Sequence, residues 1–349
     1  MREQLTTQLR KIVRAFEPRS PEAFSFAGRL FSLADAGGMH APHGHAHGFA
    51  QQPQPNPLAK LLEQTLYQYC YCRAFDGALR DEPRAQVHGL DLTPALSEAN
   101  ASRERWDAGW QVYQILPSGQ VLASKGGRTR SLWPGEFLST DAPGMALRAG
   151  MNLSVFFMRE TTTMQPGFYF AFGETQTGEL DNFSLARFYW NLRAEGAAPL
   201  VGAVTRGLNR FQVPFRVKCL TNSAFYARDD SAVLYVERRY YAVTARVLED
   251  VHREVSAHLR PETPLFTKRL AAGLALAEEP YTGESFGMQR CRILAEGLLG
   301  AHERGLRDEA SRLEEVERRF RGYGLSLDAP HLNPRSVDLY EFPLRREAA

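Results

Sequence analysis

Lysine is scarce in this sequence: Lys11, Lys60, Lys125, Lys218 and Lys268 are the only ones among 42 basic residues, the rest being arginine. Coding bias explains most of such a skew. Arginine, however, cannot replace lysine where a proton must be accepted, because its guanidinium stays charged. A lysine inside a dense polar motif is therefore worth following. Cysteine is scarce too. Cys70, Cys72, Cys219 and Cys291 form no CxxC pair, and no second Cys/His pair stands at ligand spacing from Cys70 and Cys72, so neither a zinc module nor a disulfide framework is indicated. No run of about 18 apolar residues occurs, which argues against a transmembrane helix. Met1 to Leu5 is amphipathic and lacks the apolar core of a signal peptide. Net charge is only +2, which leaves no broad basic field for nucleic acid or a membrane surface. The expectation is a cytoplasmic, reduced protein with neither kind of partner.

What is present is an ordinary globular composition. The chain has 349 residues, 44% of them hydrophobic, enough for one or two cores. Apolar residues recur at helical spacing over 2–16 and 58–80. Between them, 36–57 carries His40, His43, His45 and His47 and a Gln/Pro-rich run. This composition cannot bury apolar surface and predicts a disordered loop rather than a metal site, since no acidic or Cys partners converge there. A helix is predicted over 97–111. From 112 the texture changes: a hairpin over 111–125 turns at Pro117-Ser118-Gly119, and strand-like runs follow at 153–158, 167–172, 183–192, 213–219 and 232–241. Helices are predicted at 197–210, 242–259, 268–277, 287–303 and 305–323. The pattern predicts an α+β fold: an antiparallel-rich sheet flanked by long helices, with a helical N-terminal region over 1–111 and a core domain over 112–349.

Chemistry concentrates in 183–290. Arg187, Tyr189 and Asn191 alternate, so in a strand they share one face. Arg216 and Lys218 alternate in the same way, and Arg228 follows shortly after. Cations gathered on one sheet face repel, and need acidic partners or an anionic ligand. Asp229 and Asp230 would serve as partners if the face is merely solvated. Further on, Thr267 is read as the cap of a helix starting at Lys268, and Gly283-Glu284-Ser285-Phe286-Gly287 precedes another helix that contains Arg290. Backbone N–H groups at such a start can meet a phosphate, with Ser285 more suited to capping than to nucleophilic attack. There is no GxxxxGK[ST], no GxSxG, and no glycine-rich loop with HRD or DFG motifs, which argues against a P-loop enzyme, an α/β-hydrolase or a kinase.

Taken in order, Arg187-x-Tyr189-x-Asn191, Pro214-Phe215-x-x-Lys218, Tyr226-x-Arg228-x-Asp230, Val233-Leu234-Tyr235, Phe266-Thr267-Lys268 and Gly283-Glu284-Ser285-Phe286-Gly287-x-x-Arg290 resemble the HopA-type type III effector domain over about 112–345. No single motif would suffice; the ordered set carries the resemblance. It implies a fold like that of phosphothreonine lyases. It further implies membership of the bacterial proteins found with class V lanthipeptide and thioamitide genes, paired with a phosphotransferase-like kinase and in some settings a cyclase. The implied activity is elimination of phosphate from phosphoserine or phosphothreonine in a precursor peptide, to give dehydroalanine or dehydrobutyrine. The alternative is a non-catalytic subunit that docks the kinase or cyclase and the leader peptide.

Such an elimination requires a base, cations on the phosphate and an acid for the leaving group, and calls for no metal or organic cofactor. Lys218 is the candidate base, since burial among like charges disfavours a protonated amine. Lys268 is the reserve, and Tyr189 joins these two as a candidate catalytic group. Arg187, Arg216, Arg228 and Arg290 are candidate phosphate ligands, their planar forks matching phosphate oxygens, with Ser285 at the helix start. Tyr189 and Asn191 are placed to orient the substrate amide. The acid has no clear candidate: His252, His258, His302 and His331 lie outside the dense motifs, and Lys268 or Tyr226 serve as well.

Overall fold

The computed structural model describes residues 2–35, 56–81, 88–141, 145–177 and 184–343. The expected loop at 36–57 lies outside them, apart from Asn56 and Pro57. The chain opens with helix α1 (Arg2–Ala15), whose Leu5, Leu9, Ile12 and Val13 form a buried stripe. An antiparallel meander follows: β1 (Phe16–Ser20), β2 (Ala23–Phe26) and β3 (Arg29–Ser32). Asn56 caps α2 (Pro57–Leu66), which runs on into a wider π-helical turn, Tyr67–Tyr71. After α3 (Thr93–Ala99) comes a five-stranded sheet of β4 (Arg105–Ile115), β5 (Val121–Lys125), β6 (Arg128–Leu132), β7 (Phe137–Ser139) and β8 (Asn152–Phe157). Its order is β6-β5-β4-β8-β7, and Trp110, Leu153 and Val155 belong to a small core of its own.

The rest builds a seven-stranded antiparallel sheet from β9 (Glu160–Thr161), β10 (Phe168–Phe172), β11 (Leu185–Trp190), β12 (Phe215–Leu220), β13 (Ala232–Glu237), β14 (Lys268–Ala271) and β15 (Leu274–Glu278). The order is β14-β15-β11-β13-β12-β10-β9. Helices α4 (Ala197–Arg210), α5 (Tyr241–Val255), α6 (Phe286–Glu303) and α7 (Glu309–Gly322) complete it. Every residue of β11 and β13 is buried, so these strands are covered on both faces. On one face Phe188, Trp190, Val217 and Leu234 join Leu200 and Val204 of α4 and Leu248 of α5. On the other, Leu185, Tyr189, Val233 and Tyr235 join the buried sides of α1, α2, α6 and α7. The fold is α+β, with seven α-helices and three antiparallel sheets among the described residues. None of those helices is long and apolar enough to cross a membrane.

Three expectations fail locally. The helix predicted over 97–111 ends at Ala99, and strand β4 takes its place. Gly109 at φ +85° sits in the bulge between Ala108 and Trp110, and a bulge lengthens the apparent period of a strand. The helix predicted over 268–277 is instead the β14–β15 hairpin, turning at Gly273 with φ +66°. β15 is buried along its whole length between β14 and β11, and such pairing overrides the helix preference of Leu and Ala. The helix predicted over 58–80 stops by Tyr71. The N-terminal region also contains the β1–β3 meander in addition to its helices, and residue 111 falls inside β4.

Candidate active site

Sheet register decides which of the expected residues meet. β12, β13 and β11 are neighbours, and Tyr235 of β13 is paired with Arg216 on one side and Arg187 on the other. One row along, Val233 is paired with Lys218 and with Tyr189. Two strand steps separate β11 from β12, roughly 10 Å, so Arg187, Arg216 and Lys218 occupy one patch. The guanidinium carbons of Arg216 and Arg187 lie 4.5 Å and 5.2 Å from the centroid of the Tyr235 ring. Lys218 Nζ donates to Gln165 Oε1 at 3.2 Å and stands 4.4 Å from the Phe168 ring centroid.

The charges of the patch are not equally balanced. Arg187 forms a short bidentate ion pair with Glu279. That carboxylate offsets the desolvation of Arg187 and holds its guanidinium firmly charged. Arg228 grips Asp230 at 2.9 and 3.1 Å, and also reaches Cys72 Sγ at 3.0 Å and the Tyr67 hydroxyl at 3.3 Å, both supplied by the π-helical turn and its end. Burial pushes the Asp230 carboxyl up, but Arg228, with help from Lys218, holds it below the usual carboxylate range. Arg216 and Lys218 differ. Neither has a carboxylate within ion-pair distance among the described residues. Two cations that reach no carboxylate at ion-pair distance among the described residues therefore stand at i and i+2 on one strand, about 7 Å apart along it.

Tyr235 was not foreseen. Burial pushes its phenol up, yet the charges of Lys218, Arg187 and Arg216 outweigh burial and hold it below the ordinary tyrosine value. In the sequence it lies within an apolar run, Ala232 to Val236, and only its register with Arg187 and Arg216 sets it apart. Asp229 was read as a neutralising partner only. It accepts from Asn191 Nδ2 at 2.8 Å, while its Oδ2 is buried without a partner, and burial together with the charges of Asp230 and Glu262 pushes its carboxyl up to about 7.

Other expected residues are engaged elsewhere. Asn191 is buried, and its side chain is held by Asp229 and the Glu262 carbonyl. Tyr189 faces Tyr71 and Phe286 in the core, and neither tyrosine hydroxyl makes a well-formed hydrogen bond. Lys268 lies four strand steps from Lys218, roughly 19 Å, and is paired with Asp338 at 2.7 Å. Arg290 is fully buried; it donates to the carbonyls of Pro330 and Leu332 and to Gln289, stacks on Phe286, and is pushed down to about 10 by burial. Its donors hold the C-terminal segment and are not free for a phosphate. Ser285 caps α6, accepting from Met288 N at 3.4 Å. Among the acid candidates, Tyr226 donates to the Leu220 carbonyl at 2.7 Å, and His331 is fully buried beside Asp338. A groove of about 830 Å³ lies by β14, lined by Leu5, Phe75, Leu265 and Lys268 among others, and does not include Lys218. Concavity and charge thus point to different places. Charge decides here, because an anionic group needs cations that are not already neutralised.

The model of the HopA1 effector protein family matches residues 160–332. Over these residues the chain is a member of the HopA1 effector protein family. The match runs from β9 to the segment held by Arg290 and includes the whole cationic patch; it is narrower than the 112–345 expected, and leaves the five-stranded sheet outside. Two solved structures are similar to this HopA1-family chain. One is an effector protein from Pseudomonas syringae pv. tomato strain DC3000, 20% identical, with a TM-score of 0.38 over 48% of this chain and 62% of that one. The other is an effector protein from Pseudomonas syringae pv. syringae strain 61, 16% identical, with a TM-score of 0.36 over 48% of this chain and 63% of that one. The chain thus spans about three fifths of the length of these effectors. No curated protein matches it by sequence.

Proposed function

We propose that this protein is a phosphoserine/phosphothreonine lyase that removes phosphate from a phosphorylated precursor peptide, leaving dehydroalanine or dehydrobutyrine, as in lanthipeptide-type peptide maturation. A phosphotransferase-like kinase would supply the substrate, and a cyclase would consume the product. The observation that carries this reading is the pair Arg216 and Lys218, side by side with no carboxylate at ion-pair distance among the described residues, on a face where Arg187 and Arg228 are each ion-paired.

In this reading the phosphate rests on Arg216 with Arg187 beside it, and the substrate Cα–H lies toward Lys218. Lys218, having first given up a proton to solvent, accepts the Cα proton on its amine nitrogen, the Cα–H electron pair becomes the second bond of Cα=Cβ, and the Cβ–O bond breaks. Gln165 and Phe168 fix the position of the amine. The test is a matched pair of variants. Lys218→Arg keeps the charge but cannot release a proton near neutral pH, so phosphopeptide binding should survive while elimination falls by about 10²- to 10⁴-fold. Lys218→Ala should lose both. A docking face that binds an acidic partner without chemistry would tolerate Lys218→Arg, and an Arg variant that still eliminates at near the original rate rules Lys218 out as the base.

A further inference from the structure

Loss of phosphate needs a second proton transfer, since the bridging oxygen leaves far more readily when protonated. Among the described residues, no histidine makes a hydrogen bond, ion pair or ring contact with Arg187, Arg216 or Lys218. Tyr235 does. It projects from the central strand between Arg216 and Arg187, both of which lie against its ring, and one row from Lys218. It keeps 6% exposure, and its hydroxyl makes no hydrogen bond with the described residues. Every other tyrosine discussed near this site is occupied or points into the core: Tyr67 contacts Arg228 and Asp230, and Tyr189 packs on Phe286.

We infer that Tyr235 is the general acid of the elimination, donating its phenolic proton to the bridging oxygen of the departing phosphate. The inference rests on the lyase reading and assigns the role that reading leaves open. The step balances: Lys218 gains the Cα proton and becomes an ammonium, Tyr235 loses its proton and becomes a phenolate, and the phosphate dianion leaves as hydrogen phosphate. The two new charges lie one strand row apart, and water then returns one proton to Tyr235 and removes one from Lys218. The environment favours this direction. Arg187 and Arg216, joined by Lys218 once it has become an ammonium, stabilise the phenolate against burial. An acid held closer to neutrality also donates more readily.

The test uses the full chain and Tyr235→Phe, which keeps the ring between the two arginines and removes only the hydroxyl. Two peptides of one sequence are compared, one with phosphothreonine and one with β-chloroalanine at the same position. Chloride needs no proton to leave. Tyr235→Phe should slow phosphate elimination by about 10²- to 10⁴-fold while leaving chloride elimination within a few-fold of the original. Lys218→Arg should slow both, because both need the Cα proton removed. Equal loss on both peptides would mean that Tyr235 only supports the site, and full activity of Tyr235→Phe on phosphothreonine would overturn the assignment while leaving the lyase reading intact. Unaltered protein that eliminates chloride but never phosphate would overturn both.

Discussion

Lys218 and Arg216 are separated from the other cations by what they lack rather than by what they are. Each arginine expected to hold phosphate was chosen on residue type, but Arg187, Arg228 and Arg290 each reach a partner within the protein. The Asp230 partner of Arg228 was foreseen, but the other two outcomes could not be read from the sequence, because Glu279 and Pro330 lie far along the chain from the arginines they hold. Asp229 gives a residue-scale prediction of its own. Its carboxyl is raised to about 7 from an ordinary 3.8, so the folded protein keeps a proton that the unfolded chain has lost. Stability should therefore fall as pH rises from about 4 to about 7, by at most on the order of 4 kcal/mol from this group. Asp229→Asn should flatten that slope in chemical denaturation at a series of pH values. An unchanged slope would mean that the carboxyl titrates normally.

At the scale of elements, strands that alternate polar and apolar residues were legible. β11 and β13 lie within the expected runs, β12 passes the end of its run by one residue, and Arg216 and Lys218 share a face as their spacing requires. The β14–β15 hairpin was not legible, since Leu270 to Ala277 is rich in helix formers and its strand state comes from burial between neighbours. Gly273 makes the turn possible. A Cβ there would stand 2.3 Å from the Arg260 carbonyl oxygen, and the backbone is left-handed. Gly273→Ala should cost roughly 1–3 kcal/mol or more in denaturant unfolding. No loss would mean that the turn adopts another conformation. The partner of this hairpin, the segment at 330–332, depends on Arg290. Replacing Arg290 by Met should leave two buried carbonyls without donors and destabilise the fold by roughly 2–4 kcal/mol, while phosphopeptide affinity per folded molecule stays unchanged. A lost affinity in folded protein would return Arg290 to the phosphate site.

For the whole molecule, the α+β class was legible from the switch between helical and alternating periods, but the packing of the N-terminal elements onto one face of the seven-stranded sheet was not. α1, α2 and their neighbours cover the same sheet face that carries Tyr189, Val233 and Tyr235. A fragment limited to the family-matched residues 160–332 would keep α6 and α7 but uncover the part of that face under α1, α2 and the π-helical turn, and should show no cooperative unfolding transition, in contrast to the full chain. A stable, cooperative fragment would show that the N-terminal elements are dispensable to the core. The same cover supplies Tyr67 and Cys72 to Arg228, so the site as well as the core draws on residues outside the family match. The central claim is chemical, and one measurement reaches it directly: the purified chain is incubated with a phosphothreonine peptide, and the peptide mass is followed by mass spectrometry. The account predicts loss of phosphoric acid, giving a dehydrobutyrine that adds a thiol, abolished by Lys218→Arg. Recovery of the intact phosphopeptide from the unaltered protein, bound or unbound, would contradict it.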